Sequence, residues 1–357
     1  MSRELAVLPA PTQGRPFLTA ERTGRLSKSP RLVVFLAVFA LAAATAACSS
    51  GSAVANSTSP TAYVANGANV ANPGNTVAVV DTSTSTALAP ITTGTLPSAL
   101  AVTPDGKDLL VANKGVDQLT EVDVASGTVV KKITVGLEPD AVAVTPDGKL
   151  ALVANFGDNT VTPVSLPSLQ TGRPISVGRQ PVAIAVAPNG STALVANYQD
   201  GTVSPISLPG LTPLPPIAAG ADPISLFVTS GNTLALVANF QSNTVTPLDL
   251  ATMGPGPPIA IGSNPTGIAG LPSSSTVWVS GGDSVTPIDV TTQQGGPPIP
   301  IGTTAEAIAL MPGGTSAWVC GGNGKLVHVD LTSRTVVGQV AVGNQPSAVA
   351  IAQGQSG

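Results

Sequence analysis

Residues 136 to 155 read GLEPDAVAVTPDGKLALVAN, and the residues that follow, FGDNTVTPVSLPSLQTGRPISVG, end on Gly178, where the same pattern begins again. Two short signatures carry the repeat. Leu152-Val-Ala-Asn155 recurs at a spacing of 42 residues as Leu110-Val-Ala-Asn113, Leu194-Val-Ala-Asn197 and Leu236-Val-Ala-Asn239, with Tyr63-Val-Ala-Asn66 before them and Trp278-Val-Ser-Gly281 and Trp318-Val-Cys-Gly321 after. Gly-x-x-Pro occurs at Gly94/Pro97, Gly136/Pro139, Gly178/Pro181, Gly220/Pro223, Gly262/Pro265 and Gly343/Pro346, with a variant at Gly302/Ala305. Each signature therefore appears seven times, and a period near forty residues built from one small unit is the mark of propeller blades.

Within the unit, the spacing predicts four short strands. Strand A is the Ala/Val run after Gly-x-x-Pro, and strand B holds Leu-Val-Ala-Asn. Strand C is of the Asn159-Thr-Val-Thr-Pro-Val164 type, and strand D of the Pro174-Ile-Ser-Val-Gly178 type. Pro146-Asp-Gly148 between A and B is turn chemistry, because proline presets φ and glycine accepts the left-handed position. The inner strands lack polar alternation, as expected when blades stack face to face and bury both sides of each sheet. Gly 38, Pro 34 and only 10% charged residues fit many strands and turns rather than long helices. The fold class expected is all-β, a seven-bladed β-propeller of four-stranded blades.

The ends of the repeat say how the ring closes. Tyr63 opens at strand B with no strand A before it, whereas Pro346-Ser-Ala-Val-Ala-Ile351 is a strand A with no strand B after it. The C-terminal strand is thus expected to complete blade one, leaving only strand D as an edge. Pro215-Pro216, Pro257-Pro258 and Pro297-Pro298-Ile-Pro300 fall on that edge, where a missing N–H blocks pairing with a second chain. Pro163, Pro205, Pro247 and Pro287 fall inside strand C and predict either a bulge or weak pairing of C with D.

The Tyr-Val-Ala-Asn, Pro-Asp-Gly, Asn-Thr-Val and Val-Gly-x-x-Pro elements together resemble the YVTN-repeat β-propeller family over residues 61 to 353. The departures are Ala in place of the family's Thr in the anchor, and the altered sixth and seventh anchors. The resemblance implies a bacterial exported or cell-surface propeller. Some relatives of this repeat family bind nucleic acid, but membership by itself implies little about chemistry.

Residues 1 to 31 carry six Lys/Arg against two Asp/Glu, while residues 48 to 357 carry nine against seventeen, so the leader is +4 and the body −8. Sixteen uncharged residues, Leu32 to Ala47, follow Arg25, Lys28 and Arg31, the order of an export signal and short for a membrane span. Thr45-Ala46-Ala47-Cys48 resembles a lipobox, in which Cys48 would be acylated; Thr45 departs from the usual Leu. Cleavage at Ala44-x-Ala46 by an ordinary signal peptidase and an uncleaved anchor helix are the other two readings. The preferred division is a lipoprotein-type signal peptide at 1–47, a polar tether at 48–60, the propeller at 61–353 and a tail at 354–357. The protein is then exported and held at the outer surface of the membrane by its lipid, or secreted. Cys320 stands where other blades have Ala112, Ala154, Ala196 and Ala238, and reads as a small core residue, so no disulfide framework is expected.

By strand order the B–C and D–A loops share one face of the ring. On it the residue after the anchor Asn is Phe156, Tyr198 and Phe240 in three successive blades and Lys114 in the one before, while the D–A loops add Glu138, Asp140, Arg179, Gln180 and Asp222. An arc of aromatic and charged residues suits an envelope protein, a peptide or a glycan, and the binding residues expected are Phe156, Tyr198, Phe240, Lys114, Arg179, Glu138 and Asp140. Against this stands the plainer expectation that each ring packs on its neighbouring blade. Asp158-Asn159 and Asp200-Gly201 read first as turn residues, and no calcium-loop spacing accompanies them.

No catalytic residue, metal ligand or cofactor site is assigned. His328 is the sole histidine and falls at the strand C position of Pro163, which points to packing. A lactonase-like or lyase-like propeller is the alternative, and Glu138 with Asp140 near Arg179 is its best constellation. Nucleic acid is the least favoured partner, because an acidic body cannot release phosphate counterions. A ring that closes on itself is expected to be a monomer.

Overall fold

A computed structural model describes residues 59–69, 72–262, 264–271 and 274–353. The leader, Cys48, most of the tether and the final tail fall outside the described residues. The chain forms seven antiparallel sheets and, among the described residues, no helix. Blade 3 shows the unit: strand A is Pro139–Val144, B Leu150–Asn155, C Thr160–Ser165, and D the two pieces Gln170–Thr171 and Ile175–Ser176. Blade 1 is composite. Its strand B, Thr61–Asn69, pairs with strand C, Asn72–Asp81, on one side and with the C-terminal strand A, Pro346–Ala352, on the other. The ring is therefore closed by strand pairing between the two ends of the chain, as the order of the repeats implied.

Apolar side chains gather in seven clusters, and each spans one junction between neighbouring blades. The junction of blades 3 and 4, for example, packs Leu152, Val161 and Ile175 against Ala193, Val195, Ile206 and Leu208. Strand B of each blade has a blade on both sides, so its residues are buried on both faces, and Leu110, Leu152, Leu194 and Leu236 are fully buried. At about 1.5–3 kcal/mol for each such side chain, the stabilisation lies between blades rather than at one centre. Cys320 is fully buried in the junction of blades 7 and 1.

Strand D differs from a continuous strand in five blades. In blades 1, 3, 4, 5 and 6 it is two dipeptide strands separated by a break that contains Pro90, Pro174, Pro215-Pro216, Pro257-Pro258 or Pro297-Pro298. In blades 2 and 7 it runs unbroken as Thr128–Thr134 and Thr335–Ala341, neither of which contains proline. The strand C prolines fit the same scheme. Pairing of B with C passes through Leu152↔Pro163 with no shift of register, so there is no bulge there. The Pro163 carbonyl accepts the Gly172 N–H at 2.7 Å on the D side, and in an antiparallel strand the nitrogen of the same residue points that way too. The missing N–H thus faces the break in strand D, where no ladder bond is lost. Of the two expected outcomes, weakened C–D pairing is the one found.

Deleting residues 343–357 removes strand A of blade 1 and leaves Ala62, Val64 and their neighbours without an inner partner. The truncated chain is expected to lose its cooperative thermal transition, measured by circular dichroism with size-exclusion chromatography alongside. A transition within about 2 °C of the full chain would contradict closure by strand pairing as the stabilising link.

Candidate functional site

The face built from B–C and D–A loops is organised by a buried amide. Asn155 ends strand B with its side chain fully buried; its Nδ2 donates to Thr162 Oγ1 at 2.9 Å and Thr160 Oγ1 at 3.0 Å, and its Oδ1 accepts the Gly136 N–H at 3.2 Å. Asn113 repeats this with Thr120 Oγ1 at 2.9 Å and Gly94 N–H at 2.9 Å, while Asn197 and Asn239 donate to Ser204 and Thr246 at 2.8 Å each. The two sequence signatures are therefore one contact, in which the anchor Asn lies under the glycine of the loop arriving from the previous blade. A methyl group on Gly220 would sit 2.6 Å from the Asn239 amide carbon, and one on Gly178 equally close to Asn197. Blades 6 and 7 have Gly281 and Gly321 in place of Asn, and there Gly262 and Gly302 have open space in the same position.

Loop tips clip successive blades together. Asp117 Oδ1 accepts the Glu138 N–H at 2.7 Å, Asn159 Oδ1 the Gln180 N–H at 2.8 Å, and Asn243 Oδ1 the Asn264 N–H at 2.7 Å, each from one blade to the next. All six residues have positive φ, and Asp and Asn tolerate that region better than most side chains. Asp158 and Asp200 accept the Leu137 and Arg179 N–H groups at 2.6 and 2.7 Å. These turn residues were legible as turns, but their partners half a repeat away were not.

The residues singled out for binding fall into separate groups. Lys114 Nζ lies 3.6 Å from Glu138, 3.8 Å from the buried Asp140, and 3.9 Å from the centre of the Phe156 ring. This is a cation–π contact as well as a double ion pair. Phe156 is buried beneath that ammonium group and packs toward blade 4, while Tyr198 and Phe240 are half-buried and pack toward blades 5 and 6. Tyr198 donates its hydroxyl to Asp222 Oδ2 at 2.8 Å; burial and that bond together push the phenol well above its ordinary pKa. Arg179 is exposed and bound to Asp200 at 2.5 Å, so the cation beside Glu138 and Asp140 is Lys114, a correction to the constellation expected from the sequence. At Asp200 burial works against the charge, but hydrogen bonds from the Arg179 amide and guanidinium outweigh it and hold the carboxyl below its usual range. Val116 and Leu137, which the sequence did not single out, are among the five large hydrophobic residues exposed among the described residues, and stand beside Asp117 and Glu138 on these tips.

The inner strands carry little that could act on a substrate. Their carboxylates are Asp140 in blade 3 and Glu306 in blade 7, and the remaining positions are mostly Ala, Val, Leu and Ile. In blade 5, Phe227 replaces the Ala of other blades, and Gly270 of blade 6 leaves room for its ring. His328 lies on strand C of blade 7 and stacks on Trp318, with ring centres 4.3 Å apart and planes 11° from parallel. Burial pushes its pKa down against the pull of Asp330. Among the described residues no group of three or more His, Cys, Asp and Glu could hold a metal ion.

The opposite face carries Asp-capped turns in every blade but the fourth. The hydroxyls of Ser83, Thr103, Ser126 and Thr145 on Asp81, Asp105, Asp123 and Asp147, and the amides of Thr252, Thr292 and Ser333 on Asp249, Asp289 and Asp330, hold these carboxyls below their ordinary pKa. A depressed folded-state pKa gives stability that is complete above the unfolded value and is lost as pH falls through the folded one. The melting temperature is therefore expected to fall on acidification below about pH 4; an equal value at pH 3 and pH 7 would contradict this. Gly220→Ala is expected to cost about 1–3 kcal/mol by displacing the Asn239 amide, whereas Gly262→Ala is expected to be neutral or slightly stabilising. Denaturant melts of the two variants decide this, and equal losses would remove the buried amide as the cause.

A family model described as a YNCE-like β-propeller matches residues 31–162, a little over a third of the chain. No curated protein sequence matches significantly. Among solved structures, a functionally unknown protein from Desulfotomaculum acetoxidans superimposes with a TM-score of 0.73 at 18% identity, covering 83% of this chain and 100% of that one. A chain of Kuenenia stuttgartiensis hydrazine synthase superimposes with a TM-score of 0.65 at 20% identity, covering 71% and 88%. At these identities the likeness is one of fold, and the fold it supports is the β-propeller.

Proposed function

We propose that the propeller is a non-catalytic binding or scaffold module for a protein, peptide or glycan, presented from the cell envelope on a lipid anchor at Cys48. The observation that carries this reading is an asymmetry. Lys114, Glu138, Arg179, Asp200, Tyr198 and the exposed Val116 and Leu137 all lie on blades 2 to 4 of one face, whereas blade 6 turns on Gly282-Asp283 and blade 7 on Gly322-Asn323-Gly324. A mixed patch of aromatic, apolar and charged side chains has the makeup of a contact surface. Its charged groups are paired with one another, which favours recognition over proton transfer.

The direction of the chain supports the same reading. Thr61 begins strand B of blade 1 opposite Asp81 and Ala352, at the face of the A–B and C–D turns. A tether joining there meets the ring on the side opposite the loop face, so it does not cover that face.

Two measurements test the proposal. A Cys48→Ala variant is expected to lose both the diacylglyceryl mass increment and membrane retention; retention without Cys48 would remove the anchor. For the face, a photoreactive residue is placed at Leu137 and, separately, at Asp147 on the opposite side, in cells of the native host. Adducts with a protein or glycan are expected from position 137 alone, and equal labelling from both positions would overturn the assignment.

A further inference from the structure

One junction of the ring differs from the rest. From blade 1 round to blade 7 the chain itself runs from each blade into the next. Where blade 7 meets blade 1, however, the chain ends in the C-terminal strand A, and strands B, C and D of blade 1 are held by contacts alone. These are the pairing of strand B with strand A, the bond from Asn66 Nδ2 to the Val342 carbonyl at 2.6 Å, and a cluster in which Ala62, Val64, Ala78 and Val80 meet Trp318, Cys320, Leu326, Val340 and Val342. Into this seam the chain places its sole histidine. On Lys325–Asp330, strand C of blade 7, Val327 and Val329 face blade 6 and Leu326 faces blade 1, so the alternation of the strand turns His328 toward blade 1.

We propose that His328 is a proton-sensitive latch on this seam: neutral, it packs on Trp318 and keeps blade 1 against blade 7; protonated, it leaves the junction and the seam loosens. The geometry supplies the reason. The imidazole stacks on the fully buried Trp318 indole, and its Nε2 is buried with no hydrogen-bond partner. A neutral imidazole can leave one nitrogen bare, whereas the imidazolium carries an N–H on both. Charging the ring in place therefore buries a donor with no acceptor, which is costly. Gly338 stands opposite His328 on strand D and has no side chain to lay over the half-buried ring, so the way out to water is open.

Little in the surroundings opposes this. Burial disfavours the charged form, and Asp330, on the same face of strand C, pulls the other way while it accepts the Thr332 and Ser333 N–H groups. Ser316–Gly321, Thr335–Ala341 and Pro346–Ala352 hold no ionisable side chain besides the buried Cys320. On blade 1, Tyr63 faces blade 2 and Asp81 is engaged by Ser83 and Thr84. Lys325 donates to Gln339, and Arg334 to the Pro297 carbonyl of blade 6. A base that binds its proton less well in the closed seam than in the open one destabilises the closed form as pH falls below its ordinary value of about 6.5. Loosening thus begins before the Asp-capped turns are protonated, and through Asn66 it reaches the loop face.

Hydrogen exchange and the titration of the one imidazole test the proposal in the full chain bearing Cys48→Ala. A single histidine gives one Cε1–H resonance that needs no assignment, and it is expected to titrate below the ordinary histidine value. Exchange is compared at about pH 7.5 and about pH 5 between the seam strands, Thr61–Asn69 and Pro346–Ala352, and Leu150–Asn155 of blade 3, which corrects for the intrinsic effect of pH. Relative protection of the seam strands is expected to fall by about tenfold at the lower pH. In His328→Phe, which keeps a stacked ring without a titrating nitrogen, the fall is expected to vanish. Thermal melts at pH 7.5 establish that the ring is intact, and His328→Gln takes the place of the phenylalanine variant if it is not. A histidine that titrates at or above its ordinary value, no fall at the seam, an equal fall in blade 3, or a fall that persists without the imidazole would each overturn the proposal.

Discussion

The ring depends on a side-chain amide buried where strand B of one blade meets the loop arriving from the previous one. An amide without partners in that place would cost about 1–3 kcal/mol, so its surroundings are fixed by its hydrogen bonds. Asn155 requires Thr160 and Thr162 on strand C and an N–H from Gly136, and the approach is close enough that position 136 has no room for a side chain. Three otherwise unconnected features of the repeat, the anchor Asn, the strand C hydroxyls and the loop glycine, are one requirement. Blade 7 shows the same from its absence: where Asn becomes Gly321, the strand C hydroxyl position holds Val327 and the space over Gly302 is open.

The number of blades and the closure of the ring were legible because the two signatures recur seven times along the chain, with the anchor Asn kept in blades 1 to 5 and replaced by Gly in blades 6 and 7, and because the two ends supply complementary strands. The break in strand D was not legible as such. Pro163 and Pro174 are ordinary strand-edge residues taken singly, and only the pairing of C with D shows that the missing N–H of one faces the interruption made by the other. The loop-face residues could be placed by repeat position, but their partners could not. Asp117 reaches Glu138 and Asn159 reaches Gln180 across a blade junction, and Phe156 is buried where Phe240 is half-buried because Lys114 of the preceding blade covers it. Repeat position gives the place of a residue in its own blade. What leans over it belongs to a neighbour whose loop differs.

Loss of the amide in blades 6 and 7 coincides with a gain elsewhere in the same strand. Blades 2 to 5 have Leu at the first anchor position and Asn at the fourth; blades 6 and 7 have Trp278 and Trp318 with Gly281 and Gly321. Both indoles pack across a blade junction, Trp318 fully buried on His328 and Trp278 under the Arg334 guanidinium, which also donates to the Pro297 carbonyl. A buried indole removes more apolar surface from water than a leucine does, so stacking offsets the missing polar link. The exchange also shapes the loop face. In blades 2 to 5 the B–C connection is four residues long and carries a side chain such as Lys114, Phe156, Tyr198 or Phe240, whereas in blade 1 Asn66 is followed by Gly67 within strand B; with Gly at the anchor the connection shrinks to two residues in blade 6 and three in blade 7. The arc of large side chains thus falls within the arc of blades that keep the buried amide, and the residues that join those blades help to set where on the ring a partner could be held.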